Sequence, residues 1–411
     1  MKFCMVTTFF PPFHMGGDAV YIARLVDALA RRGHQVDVVH DIDAFHASGG
    51  SAAHATYEPP PGVAVHPLRS PFGRLSPLLT HQTGRSWLKG ALRERLDRER
   101  YDVVHFHNIS LIGLEAFDWG GEALRLMTLH EHWLVCPTSI LWRYGRELCD
   151  REDCVRCTLQ AGRPPQWWRS GQYLQRQMER LDAVVAVSRF VEGSHRSRGL
   201  DWPYEQLPYF VPDARPLEEL AATPRPHARP YFLFVGRLIQ AKGVQTLLPA
   251  FKGADGPDLV IAGDGEYGEE LRRLAQGLPR VHFVGRQSHD VLQSLYHHAE
   301  AALVPSLCYE TFGIVIIEAF AAGTPVIARD LGGLSEVVTD SGGGLLFTND
   351  EELQSAVDRI RTEDGLRQRL AANGARALGE RWSEAPHIDE YMAILDRARA
   401  RRARGAAGEG R

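Results

Sequence analysis

The sequence predicts an α/β protein with two doubly wound, Rossmann-like parallel sheets. Short apolar runs rich in Val, Ile and Leu alternate with helical patterns along most of the 411 residues. Runs of this kind are typical of parallel strands that are covered on both faces. Repeated strand–helix–strand units imply right-handed crossovers. Because the chain is longer than one hydrophobic core normally spans, we expect two domains.

Each half of the chain contributes its own set of strands. In the first half the predicted strands lie at 2–6, 35–40, 64–68, 101–106, 124–129 and 182–187, with a helix near 18–32 after the first of them. In the second half they lie at 231–236, 258–263, 280–285, 301–305 and 325–329. The same alternation in both halves predicts one sheet in each.

A proline-rich stretch marks the boundary between the two halves. Six prolines fall between 207 and 230, and dense proline is typical of linkers. We therefore expect an N-terminal domain at 1–212 and a C-terminal domain at 213–384. A long irregular insert at 130–165 interrupts the N-terminal domain, and inserts of that length in compact domains are usually functional.

Composition excludes several classes of protein. A net charge of −4 and a pI near 6.5 do not fit the strongly basic footprint of a nucleic-acid binder. The sequence contains no run of 18 apolar residues, so we expect no membrane-spanning helix. Pro11 and Pro12 interrupt the apolar N-terminal run, so we interpret that run as a first strand rather than a signal peptide. We expect a cytoplasmic protein.

The segment 308–320, CYETFGIVIIEAF, is apolar except for Thr311, a tyrosine hydroxyl and two glutamates, Glu310 and Glu318. A buried carboxylate is costly unless it is paired or hydrogen-bonded. A helix that starts near Gly313 separates the two carboxylates by about 80° of rotation and ~12 Å of rise. Its positive N-terminus lies between them and suits a phosphate. The pair therefore fits a nucleotide sugar; a helix-start glutamate plus one snorkelling glutamate is the alternative.

Two cations follow the predicted strand that ends at Gly236. Arg237 and Lys242 lie on the loop that enters the next helix. Cations at the carboxyl end of a parallel strand suit a departing diphosphate. A pair of surface charges beside a helix start fits the pattern equally well.

Two glycine motifs follow other predicted strands. Gly16 and Gly17 allow the backbone to approach a phosphate or a sugar closely, and Asp18 is suited to cap the helix that follows. The segment 263–268 matches G-x-G-x-x-G, which is typical of dinucleotide binding. The next strand ends in RVHFVGR (280–286) and offers no acid for a ribose, so we interpret this second motif as a tight strand-to-helix turn.

The insert carries four cysteines with the spacing C-x12-C-x4-C-x2-C, namely Cys136, Cys149, Cys154 and Cys157. Four thiolates in one loop suit a closed tetrahedral zinc site, which would order the loop rather than do chemistry. Reduced thiols without metal and two disulfides are the alternatives, and the absence of a predicted secretion signal favours thiols over disulfides.

Together these motifs resemble those of the retaining family-4 glycosyltransferases. The matching segments are Glu310-x7-Glu318 with 319–326, 236–238 with 242–243, 16–17 and 332–336. The resemblance covers nearly the whole chain and implies a GT-B fold, in which two Rossmann-like domains face a central cleft. It also implies that the last helix, about 385–411, completes the N-terminal domain.

The resemblance implies a role for each matching residue. Glu318 would hold the donor ribose and Glu310 a hydroxyl of the transferred sugar. Arg237 and Lys242 would neutralise the departing diphosphate. His130, in a Thr-x-His setting after a strand, would lie beside the anomeric carbon, whereas His105 and His107 would line the cleft floor or be structural. The remaining donor-binding residues would be Gly17, Gly236, Thr311, Phe312, Gly313 and Ile314 for the phosphates, and Gly285 and Arg286 for the base.

The implied activity is retaining transfer of a hexose-type sugar from a UDP- or GDP-type donor to a glycan, a lipid-linked or a small-molecule acceptor. Catalysis would rest on positioning and electrostatic stabilisation and would require no metal cofactor. A nucleotide-sugar epimerase of the same fold and a non-catalytic partner subunit are alternatives. The aromatic and basic segments 163–169 and 85–100 indicate either peripheral contact with the inner face of the membrane or solvated amphipathic helices.

Overall fold

The computed structural model describes residues 1–14, 16–50, 57–87, 89–212 and 215–409. Its strands are β1 Lys2–Thr7, β2 Gln35–Asp41, β3 Val63–Leu68, β4 Val103–Phe106, β5 Leu124–Leu129, β6 Trp142–Arg143, β7 Glu147–Leu148, β8 Ala183–Ala186, β9 Tyr204–Gln206, β10 Tyr231–Val235, β11 Asp258–Ala262, β12 Val281–Gly285, β13 Ala302–Val304, β14 Val326–Arg329 and β15 Gly344–Phe347. Every strand predicted from the sequence coincides with an observed strand to within two residues.

The α-helices are as follows: α1 Gly17–Arg31, α2 Ile42–Ala47, α3 Leu75–Thr83, α4 Gly90–Arg98, α5 Cys154–Gln160, α6 Tyr173–Met178, α7 Arg189–Arg196, α8 Leu217–Ala221, α9 Gly268–Leu274, α10 His289–His298, α11 Ile314–Ala321, α12 Gly333–Ser341, α13 Asp350–Thr362, α14 Leu366–Ala377 and α15 Glu384–Glu409. Within the described ranges, no helix is both long enough and apolar enough to cross a membrane.

Two large sheets organise the chain, and neighbouring strands in both run parallel. The first sheet has the order β3-β2-β1-β4-β5-β8-β9, and the second has the order β12-β11-β10-β13-β14-β15. In each sheet the direction of strand addition reverses once, between β1 and β4 or between β10 and β13. Ligands of doubly wound sheets bind at such switch points, outside the carboxyl ends of the strands. The predicted fold class is confirmed, and the two reversals locate the candidate sites.

The chain divides into two units. Unit 1 comprises 1–140, 151–208 and 387–411, and unit 2 comprises 141–150 and 209–386. Most of α15 therefore belongs to unit 1, where the hydroxyl of Tyr391 lies 3.0 Å from Nδ1 of His105. The boundary falls after residue 208 rather than 212, because the next residues pack in unit 2, where the Val211 N–H donates to the Trp382 carbonyl at 3.0 Å.

The insert at 130–165 is shared between the units rather than belonging entirely to the N-terminal domain. Strands β6 and β7 form an antiparallel hairpin, and residues 141–150 belong to unit 2. At the end of the hairpin, Asp150 accepts a 3.1 Å hydrogen bond from the hydroxyl of Tyr309. The sequence prediction differs because the partner of the hairpin is about 160 residues away in the chain.

Each unit has its own core. In unit 1, β1 is buried from Phe3 onward, and the apolar face of α1, including Ile22 and Leu25, is fully buried. In unit 2, Phe232 and Phe234 of β10 pack with Ile261 of β11 and with α13. Continuous apolar strands covered on both faces are what parallel sheets require, so the carboxyl ends of the strands and their loops are left to carry polar chemistry.

Candidate active site

In unit 2, the loops that follow β10 and β13 meet at the switch point. The Leu307 N–H donates to the Ala241 carbonyl at 2.8 Å. Gly243 has φ +74, and a Cβ there would lie 2.1 Å from the Pro305 carbonyl oxygen, so only glycine permits this approach. The contact brings the loop at 237–243 beside the loop at 305–313, and with it the predicted diphosphate cation Lys242 beside Glu310.

Glu310 and Lys242 form an ion pair at this place. Lys242 Nζ donates to Glu310 Oε1 at 2.5 Å, and the Ser306 hydroxyl donates to the same oxygen at 2.6 Å. The side chain of Glu310 is 17% exposed and that of Lys242 is 30% exposed. The pair is therefore partly shielded but still open to a ligand.

Burial and charge act in opposite directions on this pair. Burial disfavours the ionised Glu310 carboxylate, but the charge of Lys242 and the hydrogen bonds from Lys242 and Ser306 outweigh it and hold the Glu310 pKa below its usual value. Burial likewise disfavours the Lys242 ammonium, and the nearby Glu310 carboxylate raises the Lys242 pKa above its usual value. Both groups are charged at neutral pH.

Helix α11 begins one residue after Gly313, which occupies the N-cap position with φ 95. The first N–H groups of a helix lack the usual i−4 partner, which makes the start of α11 suitable for an anion, although the Ile316 N–H already donates to the Gly313 carbonyl at 2.9 Å. Glu318 lies in the second turn of α11 and is partly exposed, as its predicted contact with a ligand requires. Phe312 is buried against Tyr209 and Trp382, which anchors the start of the helix.

The other predicted donor-side residues of unit 2 lie at the same edge of the sheet. Arg237 is exposed directly after Gly236. Its positive charge partly opposes the rise in the Lys242 pKa, which places the two cations near each other. Gly285, with φ +70, ends β12, and Arg286 after it is exposed. The structure thus places these residues at the carboxyl ends of β10 and β12.

The G-x-G-x-x-G segment is a tight turn, as predicted. A Cβ at Gly263 would lie 1.8 Å from the Gly236 carbonyl oxygen. The Leu238 N–H donates to the Asp264 carbonyl, and the Tyr267 N–H donates to the Leu238 carbonyl, both at 2.9 Å. The glycines thus serve the packing of two loops against each other and leave no room there for a pyrophosphate.

In unit 1, the double glycine leads into α1, but Asp18 does not cap the helix. The helix begins at Gly17, and Gly16 takes the N-cap position without a side-chain cap. Asp18 therefore lies inside the first turn, two residues after the cap position, and its carboxylate accepts a 3.3 Å hydrogen bond from Asn108. Burial raises the Asp18 pKa above its usual value.

His130 follows β5 and belongs to a chain of buried imidazoles. Its Nε2 lies 2.9 Å from Nδ1 of His107, and the ring of His107 is 4.0 Å from that of His105. His105 in turn contacts the hydroxyl of Thr128 at 2.8 Å. His105 and His107 are fully buried, which agrees with a structural role, and His107 holds the ring of His130 in place.

These imidazoles are neutral at physiological pH. Burial, reinforced by neighbouring imidazoles, lowers the pKa of His105 to about 3, and burial alone lowers the pKa of His130 to about 3. The pKa of His107 is lowered well below its usual value for the same reason. His130 can therefore offer a hydrogen bond, but it cannot supply a positive charge.

Glu131, the next residue, is a titratable group that the sequence analysis missed. Burial and the charge of Asp18 raise its pKa to about 8, against opposing effects of Ser139 and Arg169. A carboxyl group that is protonated at pH 7 can donate a hydrogen bond to a ligand. The available signal was an acid directly after the strand-end histidine, in His130-Glu131.

In the basic and aromatic segment at 163–169, Arg169 is engaged by the protein itself, whereas Arg163 and Trp167 are exposed. Arg169 donates to the Trp133 carbonyl and stacks 4.4 Å from the ring of Trp168. Burial lowers its pKa to about 10, while the nearby thiols of Cys136 and Cys154 and Glu131 oppose that shift. None of the six cysteines, all of which lie in the described ranges, forms a disulfide. Zinc binding by the four insert cysteines stays a prediction.

Comparison with known proteins decides the family. The model for Glycosyltransferase Family 4 matches residues 15–215, and the model for Glycosyl transferases group 1 matches residues 218–377. The chain is 30% identical to a D-inositol 3-phosphate glycosyltransferase of Xylanimonas cellulosilytica, over 94% of each chain. The chain belongs to glycosyltransferase family 4. This confirms the resemblance to family 4 and, at that level, glycosyltransferase activity.

Solved structures agree on the GT-B fold of this family-4 glycosyltransferase. Sucrose-phosphate synthase from Thermosynechococcus elongatus superposes with a TM-score of 0.71 at 22% identity over 99% of both chains. Anabaena HepE in complex with UDP-glucose superposes with a TM-score of 0.62 at 17% identity, over 96% of this chain and 98% of HepE. At such identities the likeness concerns the fold alone.

Proposed function

We propose that this glycosyltransferase moves a hexose-type sugar from a nucleoside diphosphate donor, of the UDP or GDP type, with retention of the anomeric configuration. The observation that carries the proposal is the Glu310–Lys242 pair at the switch point of unit 2. It provides an ionised acceptor for sugar hydroxyls next to a fixed cation for a phosphate. The complex of Anabaena HepE with UDP-glucose supports this class of donor.

Glu310 is arranged to bind a sugar hydroxyl. The hydrogen bonds that Lys242 and Ser306 give to its carboxylate both go to Oε1. Its second oxygen, Oε2, is available to accept from a ligand. Because Glu310 is ionised and held from two sides, the acceptor atom is already positioned before the donor binds.

The start of α11 and the two cations suit the diphosphate. Amides at the start of α11, near Gly313, suit phosphate oxygens, and Arg237 and Lys242 add positive charge beside them. When the bond from the anomeric carbon to the phosphate oxygen breaks, the negative charge that develops on the diphosphate is stabilised by these fixed groups. Glu318, four residues into α11, then reaches the ribose, and Gly285 with Arg286 lies at the edge that suits the base.

The groups of unit 1 contribute without charge. His130 is neutral and fixed by His107, so we assign it hydrogen bonding to the sugar near the reacting carbon, and Gly17 keeps the phosphate role that the family implies. The acceptor hydroxyl forms its bond to the anomeric carbon on the face from which the diphosphate departs. Its proton passes to a departing phosphate oxygen, so no protein base is required for that step.

A lipid-linked acceptor has some support from the surface of unit 1. Phe72, Leu75 and Leu78, at and before the start of α3, are 58%, 49% and 57% exposed. An exposed apolar helix face is a surface on which an acyl or isoprenoid chain can lie at the inner face of a membrane. In the basic segment 85–100, Lys89 is paired internally with Asp41, whereas Arg93 and Arg98 are 65% and 72% exposed. Glycan and small-molecule acceptors are the alternatives to a lipid-linked acceptor.

The donor is tested by thermal shift with UDP, GDP, ADP and their sugars on wild type, Glu310→Gln and the matched control Glu363→Gln, an exposed glutamate paired with Arg359. One nucleotide series should raise the melting temperature of wild type, because a ligand that binds the native state stabilises it. In Glu310→Gln the shift from the nucleotide should persist and the extra shift from the sugar should vanish.

Turnover gives the second readout of the same variants. Release of nucleoside diphosphate should fall by roughly 100-fold or more in Glu310→Gln and stay unchanged in Glu363→Gln. The anomeric configuration of the product, read by NMR, should match that of the donor. Undiminished turnover in Glu310→Gln would overturn the assignment of Glu310, and an inverted product would overturn the retaining mechanism.

A further inference from the structure

A second polar cluster lies at the opposite edge of the unit 2 sheet. Asp258 is the first residue of β11, His282 is the second residue of β12, and His227 lies just before β10. Because the strands are parallel, these residues share the amino edge, whereas Arg237 and Lys242 follow the carboxyl end of β10. The proposed transfer reaction makes no use of this cluster.

The two imidazoles converge on one carboxylate oxygen. Nε2 of His227 lies 2.7 Å from Asp258 Oδ2, and Nε2 of His282 lies 3.0 Å from the same atom. The other oxygen, Oδ1, accepts a 3.1 Å hydrogen bond from Nε of Arg229, whose terminal nitrogen donates to the Gly256 carbonyl at 2.9 Å. The carboxylate is therefore held by Arg229 with Oδ2 turned toward both rings.

We propose that His227, Asp258 and His282 bind a divalent transition metal ion, with Zn²⁺ as the best fit. Their three ligand atoms all lie within 4.8 Å of one another. In the part of the chain that the structure describes, no other three side chains of His, Cys, Asp or Glu come together in this way. Imidazole with carboxylate is a ligand set for Zn²⁺, Ni²⁺ or Cu²⁺, whereas Ca²⁺ and Mg²⁺ prefer oxygen ligands.

Little movement is needed to admit the ion. Zinc bonds of about 2.0–2.1 Å in a tetrahedral shell place neighbouring ligand atoms roughly 3.3 Å apart, so the present nitrogen–oxygen separations open by a few tenths of an ångström. Coordination through Nε2 requires that this nitrogen carry no proton, so the ring proton of each metal-bound imidazole lies on Nδ1. The fourth position is left for water or a further ligand.

Burial and exposure also suit a metal site. The Asp258 side chain is 2% exposed, while His227 and His282 are 20% and 37% exposed. The anionic ligand is thus protected, and the ion can enter from solvent past the imidazoles. Arg229 fixes the orientation of the carboxylate, which is the part that outer-shell partners play in metal sites. The rings of His227 and His282 lie 4.8 Å apart, close enough to share one ion.

A bound ion would fasten the segment before β10 to β11 and β12. Since the ligands come from three separate parts of unit 2, binding requires the folded unit and therefore stabilises it. The ion would have no direct role at the carboxyl edge, where donor chemistry is proposed, so transfer activity should not depend on it at temperatures where the protein is folded.

The test uses the full chain without a histidine tag, the metal alone as probe, and three variants. His282→Gln and His227→Gln keep a side chain that can donate to Asp258 but remove an imidazole ligand. His298→Gln, on α10 of the same unit, is the matched control. Circular dichroism checks that each variant is folded.

Zinc binding is measured by equilibrium dialysis and elemental analysis. Either triad variant should bind one ion fewer per chain, or bind it with an affinity roughly 100-fold weaker. Loss of even an outer-shell partner lowers metal affinity by about 10–100-fold.

Cobalt distinguishes this site from the insert cysteines. Co²⁺ bound by thiolates absorbs strongly in the near ultraviolet, and Co²⁺ bound by nitrogen and oxygen does not. The ion lost in His282→Gln should therefore be lost without change in thiolate absorption, and the Zn²⁺-induced rise in melting temperature should shrink in both triad variants but not in His298→Gln. Equal Zn²⁺ stoichiometry and affinity in wild type and both triad variants would overturn the proposal and leave the cluster as a hydrogen-bonded cap on Asp258.

Discussion

The carboxyl edges of the two parallel sheets differ in the charge state of their polar side chains. At the edge of unit 2, Glu310 and Lys242 are both ionised, because each offsets the burial of the other. At the edge of unit 1, His105, His107 and His130 are packed against one another and neutral. Both edges lie at a topological switch point, so topology does not set the difference; burial without a counter-charge does.

The asymmetry extends through the two units. Among the described histidines with a lowered pKa, unit 2 holds one, His298. Those of unit 1 are His34, His40, His81, His105, His107, His130, His132, His195 and His387. A diphosphate needs fixed positive charge, which neutral imidazoles cannot give. Under the proposed function, this difference favours leaving-group stabilisation by unit 2 and neutral positioning by unit 1.

Removing the positive charge of Lys242 should have the largest effect on activity. In Lys242→Met, Glu310 loses its counter-charge, and burial then raises its pKa instead of being offset. We expect kcat/KM to fall by roughly 10²–10³-fold, the usual cost of removing one preorganised group that stabilises transition-state charge. Steady-state kinetics with the donor identified by thermal shift measures this.

Two further lysine variants sharpen that result. Lys242→Arg keeps the charge and should recover part of the activity, while Lys252→Met removes an exposed lysine of the same unit and should leave kcat/KM unchanged. If Lys252→Met lost as much activity as Lys242→Met, net charge rather than the ion pair with Glu310 would be responsible.

Mild acid should weaken unit 1 before unit 2. The folded-state pKa values of His105, His130 and His387 are about 3, below the value of about 6.5 expected when unfolded. The unfolded chain then binds protons that the folded unit cannot, so stability is lost as pH falls from 6.5 toward 3. Between pH 6.5 and 5 each of these three histidines costs on the order of 1–2 kcal/mol. Glu131 and Asp18 act in the opposite direction, since burial raises the folded-state pKa of both carboxyl groups, but they are two groups against nine histidines of unit 1 with a lowered pKa.

Hydrogen exchange with mass spectrometry at pH 6.5 and 5, corrected for intrinsic rates, reads the two units separately in one molecule. Protection of β1, β4 and β5 should decrease more than that of β10, β11 and β13, which serve as the internal control. An equal decrease in both sheets would show that the buried histidines of unit 1 do not set its acid sensitivity.

Much of the fold could be predicted from the sequence, because parallel strands buried on both faces are continuous apolar runs. The strands that were missed lack this signature. Tyr204–Gln206 of β9 is a polar edge strand, and Gly344–Phe347 of β15 is short and begins with glycine. The shared insert could not be predicted, since the hydrogen bond between Asp150 and Tyr309 depends on the folded chain.

Site residues could be predicted where their position just after a strand indicates their role. Lys242 and Glu310 each follow a strand end, and parallel strands bring such ends to one edge. Asp18 was wrongly expected to cap α1, because the helix starts two residues earlier than that role requires, with Gly16 at the N-cap position. The raised pKa of Glu131 and the meeting of His227 with Asp258 depend on burial and on residues distant in sequence, for which no linear motif exists.

The smallest predicted effect concerns Glu131, an acid of unit 1 whose pKa is raised to about 8. Its pKa of about 8 results from burial and from the charge of Asp18, which oppose ionisation. Below pH 8 it is protonated and can donate a hydrogen bond; above pH 8 it loses that proton and adds a second negative charge beside Asp18. We therefore expect kcat/KM of wild type to decline above pH 8.

Glu131→Gln mimics the protonated acid and cannot ionise. At pH 7 its kcat/KM should stay within about threefold of wild type, because a neutral amide can also donate, and its decline above pH 8 should be absent. Glu122→Gln, at an exposed glutamate of unit 1, is the matched control and should keep the wild-type pH profile. If the decline above pH 8 persisted in Glu131→Gln, another group would be titrating, and the edge of unit 1 would work without any ionisable acid in this range.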